Sequence, residues 1–219
     1  MATHGGPNIV EDGLVFYIDP ANTDSYVSGS ETTFSLFPSA SITLTGSLVN
    51  DVSGSMGDKK SWDFDGVDDY ILLGSSLNTG TINTFSAWVY KSATNVALTG
   101  EASNSFDYNI FISGTQIYYR VSGAAYWNYV VPENVWINFV ITRNGVTIKL
   151  YINGNFISNS IGSVTGDTKI DTIGDKSNGS HDGGSTPWIG LISNVKVYDR
   201  ELSAQEVKQN FNALNRFGI

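Results

Sequence analysis

Four aspartates, Asp63, Asp65, Asp68 and Asp69, lie close together in the sequence and could bind a hard cation through their carboxylates. Calcium needs six or more oxygen ligands that converge on one point. The cluster lacks the spacing of an EF-hand loop, and alternation along a strand would spread its side chains over different directions. We therefore expect Asp65 or Asp68 to cap backbone N–H groups of a turn. Calcium is the open alternative, and no cofactor is firmly predicted.

The densest group of aromatic side chains lies between positions 118 and 129 and could bind a carbohydrate. Tyrosine and tryptophan rings have apolar faces and a polar tip, which suits both sugar rings and protein surfaces. Tyr118 and Tyr119 point to opposite faces of a strand, so at most one of them can join a given patch. The residues predicted to contact a glycan or a protein partner are Tyr119, Tyr126, Trp127, Tyr129 and Trp188.

Two alternatives stay open for these rings. They could fill the core between two sheets, or they could cover a sheet edge. Trp188 follows a loop rich in glycine, serine, threonine and proline, so we expect it to be partly exposed. Trp62, Trp88 and Trp136 each lie within an alternating apolar strand and are predicted to be core residues.

Several classes of function are disfavoured by composition and motif content. The 219 residues include no cysteine, which excludes disulfides, thiolate metal sites and cysteine nucleophiles. The net charge of −9 argues against nucleic-acid binding. No apolar run approaches the length of about 18 residues that a membrane span needs. No G-x-S-x-G, H-E-x-x-H or P-loop motif occurs, so a catalytic site is not predicted.

The clearest structural pattern runs from Trp136 to Phe156, where alternating apolar runs flank the dipeptides Asn144-Gly145 and Asn153-Gly154. Asn-Gly favours a type I′ turn, so we predict a meander of three antiparallel strands. About a dozen short strands are predicted in all. Ser203 to Glu206 matches a helix capping box, followed by an apolar stripe. The sequence therefore predicts an all-β sandwich of two antiparallel sheets with one short C-terminal helix.

Four segments in order resemble the laminin G-like, concanavalin A-like domains. They read GLVFYIDPANTDSY, WDFDGVDDYILL, WINFVITRNGVTIKLYING and IGLISNVKVYDRELSAQEVKQNFNALNRFGI. The resemblance implies one jelly-roll domain over residues 9–219, preceded by an N-terminal arm, residues 1–8, that could strap onto a partner. Related domains often carry an acidic residue where this chain has Ser193 and Asn194, which puts an inherited calcium site in doubt. Glucanases of this fold carry an E-x-D-x-E spacing that is missing here, so a non-enzyme is predicted.

The two ends of the chain resemble a subgroup of these domains found in structural proteins of tailed bacteriophages. The resemblance implies a virion component, such as a capsid decoration, fibre or tail protein, made in the host cytoplasm. Its expected partners are other virion subunits and copies of itself, with host-surface polysaccharide as a further ligand. The alternative is a carbohydrate-binding or adhesion module of a bacterial surface or secreted protein. No Sec-type signal is visible at the N-terminus.

Overall fold

The computed structural model of the chain describes residues 8–22, 24–25, 32–36, 39–45, 61–101, 108–176 and 186–214. These residues form antiparallel strands and one helix, as the alternating pattern predicted. In chain order, the elements are β1 (Leu14–Ile18), β2 (Thr32–Leu36), β3 (Ser39–Thr45), β4 (Trp62–Asp65), β5 (Tyr70–Gly80), β6 (Ile82–Lys91), β7 (Val96–Gly100), β8 (Ile110–Ile112), β9 (Ile117–Trp127), β10 (Trp136–Asn144), β11 (Thr147–Ile152), β12 (Asn155–Asn159), β13 (Ile161–Thr165), β14 (Thr168–Ile173), β15 (Ile189–Tyr198) and α1 (Ala204–Leu214).

The strands form two sheets that pack face to face as a jelly-roll-like sandwich. Sheet A has the order β1-β15-β6-β10-β11-β12, and β4 pairs with the other half of the β15 edge that β1 uses. Sheet B has the order β13-β9-β8-β7-β14-β5-β3-β2. Only Ser160 separates β12 from β13, so the chain passes there from the edge of sheet A to the edge of sheet B.

The core lies between the two sheets and is built from every second residue of the strands. Ile137, Phe139 and Ile141 of β10 are all buried in it, as are Ile148 and Leu150 of β11. These are the residues that the alternation assigned to one face, and their burial confirms that assignment. The opposite face of β10 is buried as well, because a second layer covers the outer side of sheet A.

The two Asn-Gly dipeptides of the meander form different turns. Asn153 and Gly154 are the two loop residues of the second hairpin, and both take positive φ, 54° and 72°, as the predicted type I′ turn requires. In the first hairpin, Asn144 is still paired within β10, and the loop residues are Gly145 and Val146. Only the glycine of that pair takes positive φ, 61°, which is the pattern of a type II′ turn. The predicted type I′ turn is therefore wrong at this position.

Helix α1 provides the second layer over sheet A. Its Phe211 ring stacks on Trp88 with centroids 5.7 Å apart, and the two pack together with Trp136. The predicted capping box is present: Ser203 N donates to Glu206 Oε2 at 2.8 Å, and Glu206 N donates to Ser203 Oγ at 3.3 Å. The helix is thus fixed both at its first turn and along its apolar stripe.

Three buried polar groups join the N-terminal segment, β15 and α1. Val10 N donates to Asn210 Oδ1 at 2.7 Å, and Asn210 Nδ2 donates to the Tyr198 hydroxyl at 3.0 Å. That hydroxyl donates to the Val10 carbonyl at 3.0 Å, which closes the triangle. Burial raises the pKa of Tyr198 to about 12, so the hydroxyl keeps its proton at neutral pH.

Some element boundaries differ from those predicted. The pattern from Ile9 to Asp19 predicts a first strand with a glycine interruption, but the strand begins at Leu14, because Glu11 to Leu14 form a turn closed by a 3.0 Å backbone hydrogen bond. The sequence from Gly162 to Pro187 predicts a long loop around one short strand, Lys169 to Ile173. The structure has the additional strand β13 at the start of this region, where Gly162 and the polar residues around it hide the period of two. Residues 1–7 of the predicted arm lie outside the described residues. Within the described part of the chain, no helix has both the length and the apolarity to cross a membrane.

Candidate functional site

An aromatic patch lies on the outer face of sheet B and consists of Tyr108, Phe111, Tyr118 and Tyr126, together with Arg120. Phe111 of β8 lies directly opposite Tyr118 of β9 in the strand register. The ring centroids of Tyr108 and Phe111 are 4.9 Å apart, those of Phe111 and Tyr118 6.1 Å, and those of Tyr118 and Tyr126 6.2 Å. All five side chains are half-buried, so the rings support one another while part of each faces solvent.

The guanidinium of Arg120 lies over two rings of this patch. Its central carbon is 5.1 Å from the Tyr108 centroid and 4.8 Å from the Tyr118 centroid. This arrangement gives a cation–π attraction and fixes the orientation of the planar group. Burial raises the pKa of Tyr108, although the positive charge of Arg120 opposes that rise. The patch therefore combines aromatic rings and hydroxyl groups with the guanidinium of Arg120.

A bend in β9 brings together parts of the patch that are distant in sequence. Tyr118 and Tyr126 would be about 26 Å apart on a straight strand. Between them, Gly123 takes a φ of 108°, and the side chains on either side of it are exposed. Gln116 and Asn128, which flank the strand, are joined by a side-chain hydrogen bond of 2.8 Å. The bend thus places two amide side chains close to the two tyrosine rings.

Three of the five residues predicted to contact a ligand lie in the core instead. Tyr119 is 1% exposed, and its hydroxyl is hydrogen-bonded to Thr168 Oγ1 at 2.5 Å. Trp127 is 2% exposed, and its Nε1 donates to the Ser158 carbonyl at 3.2 Å. Trp188 is fully buried, although its neighbouring loop suggested exposure. These side chains fill the space between the sheets and are not available to a ligand at the surface.

Of the remaining two, Tyr126 belongs to the aromatic patch, and Tyr129 is half-buried against the inter-sheet core. A contact role for Tyr126 stays a prediction. The sequence argument required that only one of Tyr118 and Tyr119 join a surface patch, and it chose the wrong one. The aliphatic residues Ile117 and Val121 mark the inward positions of β9, and that signal would have assigned Tyr118 to the outside.

The other residues of the patch were missed for a different reason. Tyr108, Phe111 and Arg120 belong with Tyr118 only because β8 and β9 pair in a particular register. Their separation in the sequence gives no direct sign of that proximity. Only a prediction of the register of the hairpin around Ser113 to Gln116 would have brought these side chains together.

The acidic cluster lies in the turn after β4, where its carboxylates accept hydrogen bonds from backbone N–H groups. Carboxylate oxygens of Asp65, Asp68 and Asp69 lie within 4.8 Å of one another, whereas Asp63 is not part of this group. Asp65 Oδ1 accepts from Val67 N at 2.7 Å, and Asp69 Oδ2 accepts from Asp65 N at 2.8 Å. Capping of turn N–H groups is the role that the sequence predicted, and these contacts confirm it for Asp65.

The position where related motifs carry an acidic residue has a structural role here. Asn194 is buried at a bulge of β15, with a φ of 53°. Its Nδ2 donates to Asp19 Oδ2 at 2.8 Å and to the Tyr17 hydroxyl at 3.1 Å. Lys196 donates to its Oδ1, and the Lys196 ammonium lies 4.6 Å from the Tyr17 ring centroid. The amide therefore ties β15 to the end of β1.

Several solved structures share this fold. The binding domain of Paraclostridial Mosquitocidal Protein 1 matches with a TM-score of 0.64 and 14% identity, over 93% of this chain and 53% of that one. The binding domain of botulinum neurotoxin DC in complex with SialylT matches with a TM-score of 0.60 and 15% identity, over 93% and 52%. This chain thus spans about half the length of these toxin domains.

A match of comparable length on both sides is Domain 4 of AbnA, a GH43 extracellular arabinanase from Geobacillus stearothermophilus, in complex with arabinotriose. It has a TM-score of 0.58 and 17% identity, and the match covers 93% of this chain and all of that one. At these identities the likeness concerns the fold. The profile of the Laminin_G_3 family, described as the Concanavalin A-like lectin/glucanases superfamily, matches residues 65–208, which is more than half of the sequence. This chain therefore belongs to the concanavalin A-like lectin/glucanases superfamily.

Proposed function

We propose that this domain is a non-enzymatic carbohydrate-binding module that holds a glycan on the aromatic patch of sheet B. The observation that carries the proposal is the position of the patch. Tyr118 is surrounded by Phe111, Tyr126 and Arg120 on the outer face of a sheet, and part of each side chain faces solvent. No other described element of the chain covers this group.

The chemistry of the patch suits a sugar. The rings of Tyr118 and Tyr126 provide apolar surface for the C–H faces of a sugar. The Tyr126 hydroxyl can donate a hydrogen bond, and the Tyr118 hydroxyl, which donates to Gln116 Oε1, can accept one. The amides of Gln116 and Asn128 and the guanidinium of Arg120 add donors and acceptors at its border. A small number of placed polar groups beside aromatic surface is the usual composition of a ligand site.

Family membership and the printed contents of two neighbouring structures support the same proposal by analogy. Domain 4 of AbnA was solved with arabinotriose, and the botulinum neurotoxin DC binding domain with SialylT. The superfamily contains both lectins and glucanases, so membership alone does not decide between binding and cleavage. The non-enzymatic part of the proposal rests on the absence of the E-x-D-x-E spacing from the sequence.

The test is a binding screen against neutral and acidic polysaccharides, followed by calorimetry with the strongest ligand. Replacing Tyr118→Ala should lower the affinity about two- to twelve-fold, which corresponds to about 0.5–1.5 kcal/mol for one aromatic contact. Phe156→Ala is the matched control, because Phe156 is 52% exposed and lies on the other sheet. Equal affinities of the two variants, or binding to no polysaccharide in the screen, would contradict the proposal.

The biological setting that we propose for this module is display on a bacteriophage particle, with other virion proteins as partners. The support is the resemblance of the two ends of the sequence to virion proteins, and a bacterial adhesion module fits the fold equally well. Mass spectrometry of purified particles is the direct test. Absence of this chain from particles of the phage that encodes it, or a gene among bacterial polysaccharide-degradation genes, would favour the bacterial module.

A further inference from the structure

Strand β12 is an exposed edge that carries two exposed apolar side chains. It ends the strand order of sheet A, and each of its residues, Asn155 to Asn159, is exposed. Alternation predicts that every second residue of such a strand is buried. Instead, Phe156 is 52% exposed, and Ile157, the extra residue of a bulge opposite Leu150 and Tyr151, is 37% exposed. After Ser160, Ile161 of the neighbouring edge β13 is 47% exposed.

This edge lacks two of the features that usually prevent strands from pairing, charged side chains and proline, although β12 is short and has a bulge at Ile157. No charged residue and no proline occurs between Lys149 and Asp167, a stretch that contains both edge strands. The rest of the chain is strongly acidic, with a net charge of −9. An uncharged surface is where two copies of such a chain can approach with the least electrostatic repulsion.

We propose that β12 pairs with β12 of a second copy of this chain, antiparallel about a two-fold axis, so that the two A sheets become continuous. An axis of this kind places each residue of the strand against the same strand of the partner copy. Like charges would then meet directly, so a strand that pairs with itself must be uncharged, as this one is. The exposed Phe156 and Ile157 side chains would then lie beside the strand of the partner copy. Because the strand has only five residues, the association is reversible and depends on concentration.

Sedimentation velocity of the full chain over a range of concentrations tests the pairing. The wild type should shift from monomer to dimer as the concentration rises. Ile157→Lys and Ile157→Glu should each stay monomeric, because a two-fold axis through the middle of β12 brings the two like charges together. An equimolar mixture of these two variants should dimerise again, because opposite charges then meet.

Val146→Lys is the matched control. Val146 is 61% exposed in the turn between β10 and β11, away from β12, so this variant should dimerise like the wild type. Circular dichroism melts check that each variant folds, and Phe156→Lys takes the place of an Ile157 variant that does not. A monomeric wild type at every concentration, an equal loss in Val146→Lys, or a mixture that stays monomeric would each overturn the proposal. Glycan affinity per chain should be unchanged in Ile157→Lys, so this test is independent of the function of the aromatic patch.

Discussion

The outer faces of the two sheets both carry aromatic clusters, but among the described residues only the cluster on sheet A is covered by another element. On sheet A, Trp88 and Trp136 are buried beneath α1, whose Phe211 ring stacks on Trp88. On sheet B, Phe111 and Tyr118 stay half-exposed, and no element among the described residues packs over them. The comparison shows that aromatic content alone does not distinguish a core from a contact surface. What distinguishes the two clusters, within the described part of the chain, is the helix that packs over one of them.

The sharpest way to test this comparison is to truncate one phenylalanine in each cluster. Phe211→Ala should lower the free energy of unfolding by about 3–5 kcal/mol, because it removes a buried ring that attaches the helix. Phe111→Ala should cost about 1 kcal/mol, because this ring is partly hydrated in the folded state. Urea denaturation followed by tryptophan fluorescence measures both values.

In glycan affinity, the order of the two effects should be reversed, so that the variant with the smaller loss of stability has the larger loss of binding. Phe111→Ala should weaken binding, and Phe211→Ala should leave binding unchanged at temperatures where the protein stays folded. Similar losses of stability in the two variants would mean that the cluster on sheet B is covered as well. In that case the contrast between the two faces would be lost.

A smaller loss of stability is expected when the polar contacts that attach helix α1 to sheet A are removed. Asn210→Ala leaves Val10 N without its acceptor and the Tyr198 hydroxyl without one of its donors, both of them buried. The expected cost is about 1–3 kcal/mol, and the Val10 amide should exchange faster with deuterium. Asn212→Ala, at an exposed position of the same helix, is the control and should change stability by less than about 0.5 kcal/mol. Equal effects of the two changes would show that the buried triangle contributes nothing.

The smallest expected effect is a pH-dependent contribution to stability from the first turn of helix α1. Hydrogen bonds from Arg200 hold the pKa of Glu206 at about 2, below its ordinary value of 4.5. A depressed carboxylate pKa stabilises the fold above the ordinary value, and this contribution is lost as the pH falls from about 4.5 to about 2. Glu206→Gln should therefore cost about 0.5 kcal/mol at pH 7 and nothing near pH 2. Acid unfolding curves would show this convergence, and curves that stay parallel would contradict it.

Much of the fold follows from local sequence patterns. The alternation of Ile137, Phe139 and Ile141 identified the inner face of β10, and Ser203 with Glu206 marked the first turn of α1. Both signals depend only on neighbouring residues, through the pleat of a strand and the unsatisfied N–H groups of a helix. The two-sheet arrangement was predicted from such patterns taken together, whereas the family came from the resemblance of four segments in order.

A prediction of the aromatic patch requires information about residues that are distant in the sequence. Tyr119, Trp127 and Trp188 were chosen for their residue type, but residue type does not show which face of a strand is inward. The bend of β9 at Gly123, which brings Tyr126 to Tyr118, depends on the pairing of β9 with both β8 and β13. Pairing of this kind is decided by the assembled sheet.

The pairing of β1 with β15 affects how the domain can form during synthesis. Leu14 pairs with Tyr198, and Val10 bonds to Asn210, a residue 200 positions later. Contacts between such distant residues are slow to form, because a long loop has to close first. While the ribosome is still translating the later strands, β1 lacks its neighbour and leaves unpaired backbone groups in contact with water. Folding of sheet A can be completed only after β15 has emerged, and until then a nascent chain is open to pairing with other nascent chains.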